Sequence, residues 1–529
     1  MANDISALPH GDSAGTFLGH PKGLFVLFFA EMWERFSYYG MRALLIFYLT
    51  KHWLFSDSES GIIYGAYTAL VYITPVLGGY LADRYLGQRK AVLFGAVLLT
   101  LGHFFMAFEG EPAAGNTDNP VIYVFWMALA LIIVGSGFLK ANISVIVGQL
   151  YPRTDVRRDP AYTIFYMGIN VGAAAGSLLC GYIGETYGWA YGFGLAGFGM
   201  LLGLIVFMWG KPLLLGRGEP PKPLSKSTEW SMYGAGIAMV GLCWLAIQYQ
   251  DMVGWVLLVF GGALVLYVLF TAVFKLPSEE RDRILAALFL ILTSIIFWAL
   301  FEQAGSSLNL FTDRHVDRGG VPASTFQSIN AIYIILLAPV FAIVWQFLGQ
   351  RGMEPSTPLK FGLGVIQVGL GFLVLVWGAQ SVGVNVPTPV IFIFLIYLLH
   401  TTGELCLSPV GLSAMNRLAP AHMASLIMGT WFFASATGNF AAGLIAAATG
   451  AEGVGEEAGK EVVLGVYSTV GWYAVGIGVA VMVVSPLIKK LMHLDTLVDD
   501  DVGDDLEGQT EGPGEPQGAG IHPTTRPIH

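Results

Sequence analysis

Charged side chains are scarce in this sequence. Asp, Glu, Lys and Arg together make up 12% of its 529 residues, whereas 55% of the residues are apolar and the mean hydropathy is +0.63. Soluble domains carry about 25% charged residues, so this composition excludes an ordinary soluble fold and indicates a membrane protein. Basic residues interleaved with aromatic ones are also lacking, which excludes a nucleic-acid-binding surface.

Patterns typical of enzymes and metal sites are lacking as well. The three cysteines, Cys180, Cys243 and Cys406, lie inside apolar segments without metal or redox spacing, so we expect small buried side chains. No nucleophile–base pair, zinc spacing or phosphate loop occurs, and we expect no enzymatic activity and no cofactor. A cleavable signal peptide is not predicted, because residues 1–22 are polar and the first apolar run is long enough to span a membrane.

The sequence does contain a series of long apolar stretches. A helix needs about 20 mostly apolar residues to cross the hydrocarbon core of a bilayer. The stretches that meet this condition predict an all-α membrane protein with 14 transmembrane helices. They lie at residues 24–50, 61–82, 90–108, 121–150, 162–183, 189–210, 229–248, 252–274, 284–312, 323–348, 360–379, 387–415, 423–449 and 464–488.

The distribution of basic residues predicts how the chain crosses the membrane. With the N-terminus placed in the cytoplasm, 20 of the 27 Lys and Arg residues fall in cytoplasmic segments, four fall on the opposite side and three lie within spans. Cytoplasmic loops of membrane proteins carry an excess of Lys and Arg. Both termini are therefore predicted to be cytoplasmic.

The spans form two groups of six, separated by a linker and two further spans. Because the two middle spans carry no ionisable residue in their apolar interiors, we expect them to form a peripheral hairpin. A six-plus-six layout is typical of carriers built from two repeats, with the binding site between them at mid-membrane. The predicted units are a cytoplasmic N-terminus at 1–23, an N-terminal six-helix bundle at 24–210, the linker and inserted hairpin at 211–283, a C-terminal six-helix bundle at 284–490 and a disordered acidic cytoplasmic tail at 491–529.

Seven Glu, Lys and Arg residues lie in the interiors of the predicted spans of the two bundles. An ionised side chain at the bilayer centre costs about 2.5–3.5 kcal/mol on insertion scales, so such residues usually face the bundle interior or a wet cavity. They occupy the first and fourth spans of each bundle, as expected if equivalent helices line one cavity. The seven residues are Glu31, Glu34, Arg35, Arg42, Lys140, Glu302 and Glu404.

The first span combines several of these charges with phenols on one helix face. At about 100° per residue, four side chains fall within roughly 60° of one another and two flank them. A stripe of acids, bases and phenols can bind a zwitterion and can also pass a proton. The four are Glu31, Arg35, Tyr38 and Arg42, and the flanking pair is Glu34 and Tyr39.

Residues 29–40, with the sequence FAEMWERFSYYG, resemble the ExxERFxYYG motif of the proton-dependent oligopeptide transporter family, a branch of the major facilitator superfamily. Residues 137–142, 165–170 and 403–412 are similar to further motifs of that family. Position 141 is Ala where the family usually has Pro, so we expect a locally straighter fourth helix. The resemblance covers about residues 24–488, and the inserted hairpin is similar to that of prokaryotic members.

The resemblance implies a fold and a function. The implied fold is that of the major facilitator superfamily, with two six-helix bundles and the inserted hairpin. The implied function is a proton-coupled symporter that imports di- and tripeptides by alternating access. It implies a multi-pass protein of the bacterial inner membrane that acts as a monomer, with peptides, protons and lipid as its partners.

The resemblance also implies which residues bind the peptide. Arg35 and Lys140 are expected to hold the peptide carboxylate, and Glu404, Asn170 and Asn330 its amino group. The other expected peptide-binding residues are Tyr38, Tyr39, Tyr72, Trp298, Ser408 and Trp431.

Gating and proton coupling are expected to rest on the intramembrane charges. We expect two ion pairs between the bundles, Arg42 with Glu302 and Lys140 with Glu404, each favouring one state of the transport cycle. His103 and His400 also lie in apolar runs, and we interpret them as buried core residues. Proton coupling is expected at Glu31, Glu34, Arg35 and Glu302.

Two other functions stay open at this point. A non-transporting peptide sensor would bind the same ligand without flux. A carrier of another small solute in the same superfamily, such as a sugar symporter or a drug exporter, would share the fold but not the charge cluster of the first span. A nitrate or other anion carrier of the same family fits less well, since Glu31 and Glu34 would repel an anion unless they are paired or protonated.

Overall fold

The computed structural model describes residues 15–108, 110, 119–151, 155, 157–451 and 459–494, and these residues are almost entirely helical. The predicted acidic tail lies outside the described residues, apart from its first four positions. Four strands of two residues each occur among the described residues. β1 (Thr16–Phe17) pairs antiparallel with β2 (His20–Pro21), and β3 (Val316–Asp317) pairs parallel with β4 (Thr388–Pro389).

The first half of the chain forms a bundle of six helices. Glycines allow the close packing of its first and fifth helices, since a Cβ atom at Gly172 or Gly176 would collide with the carbonyl oxygen of Met32 or Phe36. Gly188, with φ +127°, separates the fifth and sixth helices. The helices are α1 (Lys22–Phe47), α2 (Asp57–Leu81), α3 (Gln88–Met106), α4 (Val121–Gln149), α5 (Arg158–Tyr187) and α6 (Trp189–Trp209).

Two further helices, α7 (Lys226–Gln248) and α8 (Gln250–Lys275), form the inserted hairpin. Most of their large apolar side chains are exposed, as expected of helices that face lipid. Gly236 of α7 lies against Phe94 of α3, whereas Gly254 of α8 lies against an aromatic ring of the second half of the chain. The hairpin therefore contacts both halves.

The second half begins with a broken helix and continues with five long ones. Lys460, at the start of the last helix, is buried. It donates hydrogen bonds to the carbonyl oxygens of Ala379 and Gly383, at the C-terminal end of the helix that ends at Val382, and to that of Val386 in the segment after it. A cation at a helix C-terminus satisfies carbonyl groups that lack intrahelical partners. The helices are α9 (Ser278–Phe301), α10 (Ser307–His315), α11 (Ser328–Gln350), α12 (Thr357–Val382), α13 (Ile391–Leu418), α14 (Ala424–Thr449) and α15 (Lys460–Leu491).

The described helices confirm the predicted fold class. Counting α9 and α10 as one, 13 of them are long and apolar enough to cross a membrane, and α1, with 26 residues, is the fourteenth. The charges of α1 explain why composition alone does not identify it as a span. Helix α4 runs from Val121 to Gln149.

One predicted span, residues 284–312, lies within a stretch of 38 residues, Ser278–His315, that is long and apolar enough to cross a membrane. Within this stretch, α9 ends at Phe301 and a 3-10 turn, Glu302–Gly305, separates it from α10. The turn fits closely against the first half, because a Cβ atom at Gly305 would overlap the hydroxyl of Tyr64. Nε2 of Gln303 donates a hydrogen bond to the carbonyl oxygen of Ala442 and so links the turn to α14. The break therefore depends on partners that are distant in the sequence.

The two halves approach each other closely at the end of the bundle where α1 finishes, here called the Phe47 end. Gly61 and Gly65 of α2 lie directly against α14, close enough that a Cβ atom would collide with backbone atoms. Asp57 accepts two hydrogen bonds from Arg314, with N–O distances of 2.5 and 2.8 Å. At the opposite end, here called the Lys22 end, described ion pairs such as Arg89–Glu219 join the first half to the linker.

Candidate functional site

A cavity lies between the two halves, with about 730 Å³ of empty space when open solvent is included. Its walls come from α1 and α5 on one side, and from α9, the 3-10 turn after it, α11 and α13 on the other. Seven of the residues predicted from the sequence line this cavity: Tyr39, Arg42, Asn170, Trp298, Glu302, Asn330 and Glu404.

Arg42 and Glu302 join the two walls. The guanidinium of Arg42 forms an ion pair with the carboxylate of Glu302, and its Nε donates a hydrogen bond of 2.5 Å to the hydroxyl of Tyr64. Glu302 owes its position to the break between α9 and α10, which turns the start of the 3-10 segment toward α1. The first predicted interbundle ion pair is thus present.

Glu404 is held on the opposite wall by an amide. Asn330 of α11 donates hydrogen bonds of 3.0 Å to Oε2 of Glu404 and to the hydroxyl of Thr401, both on α13. Glu404 and Asn330 both line the cavity, so this wall carries a carboxyl group. The wall formed by α11 and α13 is therefore suited to a cationic group.

The other charges of the first half form a second, buried cluster. Nε of Arg35 lies 2.6 Å from a carboxylate oxygen of Glu31 and 3.3 Å from one of Glu34, and all three side chains are almost completely buried. The ammonium of Lys140 lies 3.6 Å from the ring centroid of Tyr38. Two acids and two bases thus balance one another away from solvent, as buried ionic groups require.

Several polar atoms of this cluster make no hydrogen bond within the described part of the chain. They include both carboxylate oxygens of Glu34, one of Glu31, Nη1 of Arg35 and Nζ of Lys140. Buried polar groups in native proteins nearly always have partners, so such atoms call for a ligand, a proton or water. The cluster therefore has unused capacity to bind.

The second predicted ion pair is not formed. Lys140 contacts the ring of Tyr38, from its own half, and Glu404 accepts its hydrogen bond from Asn330. The physical reason is that Lys140 and Glu404 each contact a residue of their own bundle in this state, in which Arg42 and Glu302 join the halves. In this state, the structure brings together only one of the two expected pairs.

The remaining predicted residues are buried outside the cavity lining. Arg35 and Lys140 belong to the second cluster, and Tyr72 is a buried residue of α2. Ser408 Oγ and Trp431 Nε1 are buried without a hydrogen-bond partner among the described residues. The eight predicted residues that are buried outside the cavity lining are Glu31, Glu34, Arg35, Tyr38, Tyr72, Lys140, Ser408 and Trp431.

Sequence reasoning missed several residues that line the cavity. Phe301, Tyr397 and Gln327 belong to this group, as does His400, which was interpreted as a core residue. His400 is indeed buried, but it lies one helical turn before Glu404 on α13. The spacing of four residues was the available signal, since residues i and i+4 share a helix face.

Comparison with known proteins gives consistent results over most of the chain. The model of the POT family matches residues 89–457. The peptide transporter YePEPT of Yersinia enterocolitica subsp. palearctica serotype O:3 is 37% identical, with 81% of this chain and 88% of the relative covered. A di-/tripeptide transporter of Lactococcus lactis subsp. cremoris is 33% identical, with 80% and 88% covered.

Solved structures agree with the sequence comparisons. A crystal structure of peptide transporter POT in complex with sulfate superimposes with a TM-score of 0.77 at 36% identity. The superposition covers 90% of this chain and 97% of the other. The similarity therefore extends over both bundles and the segment between them.

Proposed function

This chain belongs to the POT family of membrane transporters, and on that premise we propose that it is a proton-coupled symporter that imports di- and tripeptides. It is an all-α, multi-pass membrane protein with the fold of the major facilitator superfamily. We further propose that it acts as a monomer in the bacterial inner membrane and is a transporter rather than an enzyme. Relatives that carry the names of peptide and di-/tripeptide transporters support this proposal.

The proposed orientation places the Phe47 end outside and both termini in the cytoplasm. The asymmetry of Lys and Arg between the two sides supports it. The described state, with the halves in contact at the Phe47 end, then corresponds to an inward-facing carrier. Residues 24–210 and 284–490 are the two bodies that rock about the cavity, and residues 211–283 supply the linker and hairpin.

Peptide binding is proposed to use the charges on the two sides of the cavity. The α-ammonium of the peptide binds at Glu404, Asn330 and Asn170, and its carboxylate is drawn toward Lys140 and Arg35. Lys140 is the cation more easily recruited, because its ammonium contacts only the face of a ring and has no hydrogen bond among the described residues. Two opposite clusters fix the ends of a zwitterion while leaving its side chains in a partly aromatic cavity.

Proton coupling is proposed to act through Glu302 and the cluster of Glu31, Glu34 and Arg35. Protonation of Glu302 removes the charge that holds Arg42, so the contact between the halves weakens and the Phe47 end can open. The observation that carries this proposal is the Arg42–Glu302–Tyr64 contact, which joins the halves at the cavity. Lys140 and Glu404 are proposed to pair in the opposite state.

Transport assays in liposomes test the function directly. Wild-type protein is expected to exchange labelled dipeptide by counterflow and to accumulate it when a proton gradient is applied. Glu302→Gln is expected to keep counterflow and lose proton-driven accumulation. Glu461→Gln, at an exposed position of α15, is the matched control and should keep both activities.

Three results would contradict the proposal. Accumulation by Glu302→Gln would remove that carboxylate from proton coupling. Saturable dipeptide binding without flux would indicate a sensor. A flux of another solute that unlabelled dipeptides do not inhibit would indicate a different carrier of the superfamily.

A further inference from the structure

The ring of His400 is fixed in position by α12. Its Nε2 lies 3.1 Å from the carbonyl oxygen of Val368. A Cβ atom at Gly371 would lie 2.7 Å from Cδ2 and 2.9 Å from Nε2, so the ring packs directly on a glycine. The ring of Phe372 is 5.0 Å away between centroids. The Cδ2–Nε2 edge of the imidazole therefore faces α12.

This geometry determines the tautomer of the neutral ring. A carbonyl oxygen can only accept, so Nε2 must carry the hydrogen that it donates to Val368. Nδ1 is then an acceptor, and it lies on the ring edge turned away from α12. His400 is 1% exposed, and its Nδ1 has no hydrogen-bond partner among the residues that the structure describes.

The surroundings of His400 make the unused acceptor part of a pocket. His400 lines the cavity beside Phe301 and Tyr397, and the centroid of the Phe301 ring is 6.1 Å from that of the imidazole. Glu404 follows four residues later, about 6 Å along the helix axis. A partly aromatic part of the cavity wall that includes His400 thus lies one turn from the carboxylate.

We propose that Nδ1 of His400 is a specificity-determining acceptor for the side chain of the peptide's N-terminal residue, and that it favours a phenol. This inference rests on the proposed function, in which Glu404 binds the α-ammonium. With the ammonium held there, a tyrosine side chain is long enough to reach one helical turn along α13, whereas a serine hydroxyl is not. The aromatic walls accept the ring, and Nδ1 accepts the hydrogen of the hydroxyl.

The preference follows from the hydrogen bond that only the phenol can donate to Nδ1, which is already buried and has no partner among the described residues. A phenylalanine side chain fills the same space without offering a donor. A site built to hydrogen-bond a substrate hydroxyl discriminates against the analogue that lacks it. For one neutral hydrogen bond, we expect Tyr-Ala to bind about three- to tenfold more tightly than Phe-Ala.

Competition assays with two amide variants of His400 test this role. Unlabelled Tyr-Ala and Phe-Ala compete with labelled Ala-Ala in liposome counterflow, and the ratio of their inhibition constants is measured for each protein. His400→Gln places an amide N–H near the position of Nε2, so it can keep the bond to Val368 while it loses the acceptor at Nδ1. We expect its ratio to fall to about one.

A second variant of His400 and a control variant of another histidine separate loss of the acceptor from a change in packing. His400→Asn places a carbonyl oxygen near the position of Nδ1, and we expect it to keep most of the preference for Tyr-Ala. His103→Gln is the matched control, because His103 is a fully buried histidine of α3 that does not line the cavity, and its ratio should equal that of the wild type. Ratios within one protein do not depend on how much of it folds.

The inference and the proposed function fail in different ways. Dipeptide flux without a Tyr-Ala preference, or an unchanged ratio in His400→Gln, overturns the role of His400 alone. Loss of preference in His400→Asn with retention in His400→Gln would make the contact with Val368 the important one and would also overturn it. Wild-type protein that transports no dipeptide overturns the proposed function itself.

Discussion

Opening of the Phe47 end must break the ion pair between Asp57 of α2 and Arg314 of α10. The pair joins the two halves through N–O distances of 2.5 and 2.8 Å, and the side chains are only 3% and 10% exposed. Removal of one partner from a buried ion pair costs about 3–5 kcal/mol, because the other charge is left buried. We therefore expect Arg314→Gln to destabilise the closed Phe47 end.

The size of the effect follows from where this pair lies. It is near the end of the bundle, where water can reach a broken pair, so the lower limit of about 3 kcal/mol applies. That energy corresponds to a shift of about 100-fold in the equilibrium between closed and open forms. Lys51 and Asp313, 2.6 Å apart, still join the halves in the variant, so the closed form does not disappear.

Thiol labelling measures this equilibrium. A cysteine at position 324, buried between the halves beside Gly181, is introduced after the three native cysteines have been replaced. Arg314→Gln should label much faster than the parent protein with a membrane-impermeant reagent. The charge-swapped pair Asp57→Arg with Arg314→Asp should restore slow labelling.

A matched control distinguishes the interbundle pair from a general loss of charge. Arg318 pairs with Asp313 of its own half, at 2.9 Å, so Arg318→Gln should change labelling little. Equal acceleration in both variants, or none in Arg314→Gln, would refute the assignment of the Asp57–Arg314 pair to closure of this end.

Three further variants test packing and pH. Lys460→Met should lower the midpoint of thermal unfolding in detergent, because three carbonyl groups lose a charged donor worth about 2 kcal/mol. Gly172→Ala should reduce the yield of folded protein in size-exclusion chromatography, since its Cβ collides with the backbone of α1. Burial and, to a lesser degree, the positive charge of Arg157 lower the pKa of His20. The His20 ring is hydrogen-bonded to the hydroxyl of Tyr151 at 2.8 Å, so this contact should weaken as the pH falls below 6.5. The protection factors of the amides in residues 15–21, which correct for the intrinsic pH dependence of hydrogen exchange, should then fall at low pH, and His20→Gln should abolish that fall.

The spans and the ion pair at Glu302 were predictable from the sequence for different reasons. Apolar length is a local property, so the bounds of most helices agree with the predicted stretches to within a few residues. The Arg42–Glu302 pair joins residues 260 positions apart, and only the combination of charge placement in both bundles with the family motif indicated it.

The break after Phe301 and the position of His400 could not be predicted in the same way. Residues 284–312 are apolar throughout most of their length, and the turn at Glu302 depends on the fit of Gly305 against Tyr64 of another helix. His400 looks like a core residue because it is one, on the edge that faces α12. Only the relative placement of α12 and α13 shows that its other edge carries an unused acceptor.

The seven intramembrane charges carry an imbalance that bears on coupling. Four acids and three bases sum to a formal charge of −1, and a zwitterionic dipeptide adds nothing to that sum. A membrane interior penalises net charge, so a carrier that moves peptide through a closed, dry intermediate favours the uptake of one compensating cation. A proton on one of the four carboxylates is the smallest such cation and leaves room for the peptide. Charge balance in the closed cavity thus gives a physical reason why peptide and proton should move together.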